Sequence, residues 1–209
     1  MDSYITVKKS GSAEIIEKKS RFIAHIFPVN GEEEANEILT SIKKEYWDAR
    51  HNVYARRIGV NNPNQRYSDD GEPSGTAGLP ILEVLTSKNV TNTMVVVTRY
   101  FGGILLGTGG LVRAYSKATQ LALDTVGLVK MTPFKKIIIK CNYSLSGKVE
   151  YTVLKNEGYI KDTMYTDIVT YIISVPENRA AELCKALVEV TAAGCEIEEG
   201  SLELMPIDL

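Results

Sequence analysis

Apolar and polar positions alternate over residues 4–9, 13–17 and 21–27, interrupted by Gly11-Ser12 and Lys18-Lys19-Ser20, a pattern that predicts three short strands opening in a hairpin. The period then lengthens. Ala35, Ile38, Leu39, Ile42 and Tyr46 recur at helical spacing, so a helix is predicted over about 31–46, with Asn30 as its capping side chain and Glu32, Glu33 and Glu34 in its first turn. Period two returns over 52–60 and predicts a strand with Tyr54, Arg56 and Ile58 on one face. The polar stretch 61–66 reads as a loop by composition. It runs into SDDGEPSGTAGLP and a short apolar helical segment through Leu85. Met94, Val95, Val96 and Val97 form a dense β-branched run that suits a strand covered on both faces, with Thr98, Arg99 and Tyr100 at its end. After the glycine-rich FGGILLGTGG, the residues Leu111, Ala114, Tyr115, Ala118, Leu121, Ala122 and Val126 predict a helix stopped by Gly127.

Residues 128–133 show no period and contain Pro133, which makes them the predicted linker between a domain at 1–130 and another at 134–209. Beyond it the pattern predicts a strand at 134–142, a helix at 145–157, strands at 159–165 and 168–175, a helix at 177–192 and a strand at 195–204. That order, βαββαβ, is the order of a ferredoxin-like domain with two helices on one sheet face. The expected class is α+β. No period between 20 and 50 residues repeats, which excludes a solenoid.

Composition adds limits. At 209 residues, 44% hydrophobic and 24% charged, the chain excludes disordered, collagenous and membrane-embedded classes. A net charge of −2 excludes a globally basic nucleic-acid coat, yet the balance is uneven. Residues 1–127 carry 15 Lys and Arg against 14 Asp and Glu, net +1; residues 128–209 carry 9 against 12, net −3. No apolar run approaches the roughly 18 residues of a spanning helix, and the start at Met1-Asp2-Ser3-Tyr4 is unlike a secretory signal, so a cytosolic protein without membrane partners is expected. Cys141, Cys184 and Cys195 are too widely spaced for a zinc motif or a disulfide framework and are expected to pack.

Three segments carry candidate chemistry. Asp69, Asp70 and Glu72 precede a predicted helix start, where they either meet unpaired N–H groups or hold a hard cation such as Mg²⁺, although the spacing is not that of a calcium loop. The strand-to-helix run through Gly102, Gly103, Gly109 and Gly110 has the layout of a phosphate-binding turn. It departs from the known nucleotide fingerprints, with Thr108 where a P-loop needs Lys and Val112 where the dinucleotide motif needs Gly. The same glycines equally suit a backbone that passes close to another element. Arg99, Arg113 and Lys117 flank this run as phosphate ligands, with Tyr100 or Phe101 able to stack on a base, or else the arginines pair with the acidic loop. His51 lies between the first helix and the next strand, and a role as general base needs an orienting partner that the sequence does not place. There is no Ser-His-Asp order, nucleophile elbow or H-E-x-x-H, and no cofactor motif.

The strings SDDGEPSGTAGLP and VTRYFGGILLGTGGLVRAYSKA, with DARHN upstream, resemble the IMPACT/YigZ family over about a fifth of the chain. The resemblance implies an N-terminal domain like domain two of the small-subunit ribosomal protein S-five, followed by a ferredoxin-like domain similar to the last domain of elongation factor G. Eukaryotic members resemble translational regulators that carry an additional RWD domain, and this chain is expected to lack it, since its family-like segment begins near residue 14. For bacterial members the resemblance implies a family mostly of unknown function, for which nucleic-acid binding is proposed. The expectation is therefore a binding module for RNA or another phosphate-bearing ligand linked to translation. The alternatives are a metal-dependent enzyme acting on a small phosphorylated substrate and a protein-binding regulator.

Overall fold

A computed structural model describes all 209 residues, which divide into two compact units. The N-terminal unit comprises residues 4–131 and 206–209; the second comprises residues 1–3 and 132–205.

In the N-terminal unit the strands β1 (Tyr4–Val7), β2 (Gly11–Glu17) and β3 (Ser20–Pro28) lead to helix α1 (Glu32–Glu45). They are followed by β4 (His51–Ile58), β5 (Asn64–Ser68), α2 (Gly78–Ser87), β6 (Thr93–Tyr100) and α3 (Thr108–Val126). Five strands form one antiparallel sheet in the order β2-β3-β6-β4-β5. The β2–β3 hairpin turns through Lys18 and Lys19, both with positive φ, as a two-residue turn matched to strand twist requires. Strand β6 is central, and its alternation decides which side chain meets which layer. Val95 and Val97 face the core under α2 and α3, with Phe22, Ala24, Val53, Ala55, Ile81, Leu85, Leu111 and Tyr115. Met94 and Val96 face α1, with Ala35 and Ile42.

Strand β7 (Leu128–Cys141) leads into the second unit, which continues with α4 (Ser146–Lys155), β8 (Tyr159–Tyr165), β9 (Val169–Pro176), α5 (Glu177–Thr191) and β10 (Cys195–Asp208). Its strand order is β10-β7-β9-β8, with β9 antiparallel to both neighbours, the arrangement of a split βαβ domain. Ile137, Ile139, Tyr171, Ile173 and Val175 on the sheet pack with Val149, Val153, Leu183 and Leu187 from the two helices. Cys141 is buried in that core, Cys184 and Cys195 pack against it, and all three thiols are free.

Three local expectations are corrected. Residues 64–66 of the expected loop belong to an edge strand, 64–68, that pairs with β4; four of its five residues are exposed, so burial imposes no alternation there. The stretch 128–133 contains the division between the two units, at 131/132, but as continuous strand and not an irregular linker: Leu128, Val129, Lys130 and Met131 pair with β1, and the ladder to β9 begins at Phe134. Pro133 lies between these two ladders, where neither calls for its missing N–H. Asn30 does not cap α1 with its side chain. The Glu34 carboxylate instead reaches back to accept from the Asn30 backbone N–H at 2.7 Å.

On the α1 side, His25 is buried against the Tyr46 ring and its Nε2 has no partner. Burial pushes its pKa below the ordinary 6.5, against a smaller opposing pull from Glu45. The unfolded chain therefore takes up a proton before the folded one does. Folding stability is expected to fall as pH drops below 6.5 toward the lower folded-state value. Urea unfolding of wild type and His25→Gln across that window checks it: the variant should show a flatter pH dependence.

Candidate ligand-binding site

Sheet register assembles the site. Arg99 on β6 lies directly opposite Phe22 on β3 and His51 on β4, so the three side chains form a row on the face covered by α3. Arg99 is 6% exposed, and its guanidinium lies between the rings of Phe22 and Phe101, with its central carbon 5.3 and 5.7 Å from their centroids. Its Nη1 donates to Glu72 Oε1 at 2.6 Å. The Tyr115 hydroxyl donates to the same oxygen at 2.7 Å. Burial and the adjacent carboxylate push the Tyr115 hydroxyl far up, which keeps it a donor. Of the two readings for the arginines, Arg99 takes the intramolecular one, and the acidic loop and the arginine strand do face each other.

The carboxylates divide their tasks. Asp69 turns inward to its own loop: Oδ1 accepts from the N–H groups of Ala77 and Gly78 at 3.1 and 2.8 Å, and Oδ2 from Gly75 at 2.8 Å. The first two of these N–H groups open α2, so Asp69 neutralises a helix start. Asp70 anchors the loop to β4 by accepting from the Asn52 N–H at 2.7 Å, and it pairs with Lys43. Only Glu72 reaches Arg99. No group of three or more His, Cys, Asp and Glu side chains gathers anywhere in a metal-binding arrangement.

His51 is held by the same loop. Its Nδ1 lies 2.8 Å from the Asp70 carbonyl oxygen, and its Nε2 lies 4.0 Å from Glu72 Oε2. Carbonyl oxygens only accept, so Nδ1 carries a hydrogen, and in the neutral ring Nε2 is the free acceptor. His51, Glu72 and Arg99 line a cleft of about 400 Å³ together with Arg50, Phe101, Leu105, Leu106 and the start of α3 at Gly107 and Thr108. No side chain caps α3.

The remaining predicted residues separate. Arg113 and Lys117 line a second depression of about 240 Å³ with Glu17, Lys18 and Gly110; Leu106 borders both spaces. Tyr100 donates its hydroxyl to Asp48 and lies under Arg21. Gly102 serves packing: a Cβ there would sit 2.0 Å from the Lys19 carbonyl carbon, so glycine is what lets the loop run along the β2–β3 turn. Gly107, at φ +71, makes the bend from loop into helix. Gly103 and Gly109 are exposed, and Gly110 packs beside Leu106. The sequence pattern places Tyr115 only in the apolar stripe of α3 and misses it as part of this cluster. The available signal was its hydroxyl, since a buried tyrosine needs a partner for it.

A family model described as the Impact N-terminal domain matches residues 18–123. The chain belongs to the IMPACT family. Residues 139–193 match a second model, described as a domain of unknown function, DUF1949. The IMPACT family member YvyE of Bacillus subtilis (strain 168) is 41% identical over 202 residues, 97% of this chain and 93% of that protein. The IMPACT family member YigZ of Escherichia coli (strain K12) is 36% identical over 193 residues, covering 91% of each chain. Protein IMPACT of Rattus norvegicus is 39% identical over 100 residues, 46% of this chain and 31% of the rat protein. A solved structure titled "Crystal structure of an hypothetical protein" superposes with a TM-score of 0.61 at 32% identity, covering 100% of this IMPACT-family chain and 98% of its own. Both matched domains mix strands and helices, and the α+β class holds. No helix is long and apolar enough to cross a membrane.

The buried cluster sets a graded expectation. Glu72→Gln leaves Arg99 buried without its counter-charge and should cost about 3–5 kcal/mol. Tyr115→Phe removes one hydrogen bond to a carboxylate and should cost about 1.5–3 kcal/mol. Chemical denaturation of the two variants beside wild type measures both.

Proposed function

We propose that the N-terminal unit binds a phosphate-bearing ligand, RNA being the ligand that suits a translation-linked role in the cytosol. One observation carries this reading: the cleft where the uncapped start of α3 meets Arg50 and the buried Arg99, whose Nε has no partner. Backbone N–H groups at a helix start favour an anion, and guanidinium N–H groups suit phosphate oxygens. Phe101, 42% exposed, supplies a ring face on which a base can stack. Beside the cleft, Lys18, Arg113 and Lys117 offer a second positive cluster for a neighbouring phosphate. Arg99 acts here mainly through position, because Glu72 already holds one of its nitrogens.

Arg99→Ala would unsettle the fold and is a poor probe. The test is titration of labelled single-stranded RNA at several salt concentrations with wild type, Arg50→Ala and the pair Arg113→Ala and Lys117→Ala. Each phosphate-binding side chain removed should flatten the slope of log K against log salt by about 0.7. Affinity and slope identical in all three proteins would refute the reading.

A further inference from the structure

The sequence left His51 without an orienting partner, and the fold provides one. The Asp70 carbonyl holds Nδ1–H at 2.8 Å, while Gly71, with φ +88, passes beside the ring: a Cβ there would lie 3.5 Å from Nδ1. In the neutral imidazole this selects one tautomer, with Nε2 as the acceptor, 4.0 Å from Glu72 Oε2. Two acceptors at that separation are spaced to take both hydrogens of one water molecule. Arg50, Arg99 and the α3 start line the same cleft.

We infer that this cleft is a hydrolytic site for phosphate esters, with His51 as the catalytic base; the inference rests on the phosphate-binding reading above. The water oxygen attacks phosphorus as its proton passes to His51 Nε2. The ester P–O bond on the far side of phosphorus breaks, the departing oxygen takes a proton from solvent water, and the imidazolium gives its proton up to solvent, which returns His51 to its neutral form. Phosphate and an alcohol are the products of a monoester; a diester gives a monoester and an alcohol. No electrons are transferred and water is the only co-reactant. Throughout, Nδ1–H stays on the Asp70 carbonyl, and Glu72 stabilises the transient imidazolium. Arg50 opposes the charge on the phosphoryl oxygens, and Arg99, paired with Glu72, holds that carboxylate in place. The side chain of Glu72 is fixed for this task by Arg99 and Tyr115, and because its Oε2 accepts from the attacking water, Glu72 acts on that water together with His51.

The experiment uses the full chain with p-nitrophenyl phosphate and bis(p-nitrophenyl) phosphate, following p-nitrophenolate release. Wild type should hydrolyse at least one probe above the protein-free rate, and the responsive probe assigns the monoester or diester class. His51→Ala and His51→Gln, confirmed folded by thermal melting, should lose about 10²-fold or more. Added imidazole should restore part of the rate to His51→Ala and none to His51→Gln, whose side chain fills the space. Hydrolysis of neither probe by wild type, or equal rates in wild type and both variants, overturns the inference. Labelled-RNA titration of the same preparations separates the two readings: RNA bound with both probes left intact defeats only the hydrolytic one, and His51-dependent hydrolysis without RNA binding defeats only RNA as the ligand.

Discussion

The Glu72 carboxylate, held by Arg99 and Tyr115, ties together three segments far apart in sequence: the acidic loop, strand β6 and helix α3. A buried ion pair is not in itself a strong source of stability, because desolvation of both charges offsets most of their attraction. Its consequence is geometric. With Glu72 fixed, the loop that contains it presents the Asp70 carbonyl to His51 and delivers Asp69 to the start of α2. The rest of the cleft follows from that one arrangement.

The division of labour among like residues follows from where each sits. Three carboxylates within four positions do three different things: Asp69 meets backbone N–H groups, Asp70 meets a strand N–H and a lysine, and Glu72 meets a guanidinium. The arginines divide similarly, with Arg99 engaged largely by Glu72, Arg50 exposed at the cleft and Arg113 turned to the neighbouring depression. Pooling either set as a single charge patch obscures the chemistry. A cation at Asp69 and Asp70 would compete with the hydrogen bonds that hold α2 and β4 in place.

Much of the fold was legible wherever burial forces a period. The apolar stripe of α3 and the six-element pattern of the second unit were readable because one face of each element is dry, and the β-branched run of β6 because both of its faces are. Strand β5 escaped detection because an exposed edge strand needs no alternation, and the start of β7 escaped because Pro133 imitates a break. At the site, Arg99, Glu72 and His51 were singled out individually by residue type and neighbours. Their joint arrangement was not, since a register between β4 and β6 brings His51 and Arg99 together across 48 positions of chain.

The sequence by itself determined the α+β class, the family and the candidate residues, because periodicity and motif strings are local properties of the chain. Tertiary structure alone decided that Arg99 serves Glu72, that Arg113 and Lys117 stand apart, that Tyr115 belongs to the cluster and that His51 has an orienting carbonyl. Those outcomes depend on strand register and loop closure over long separations, and distances of a few ångströms between such segments are not encoded in any local pattern.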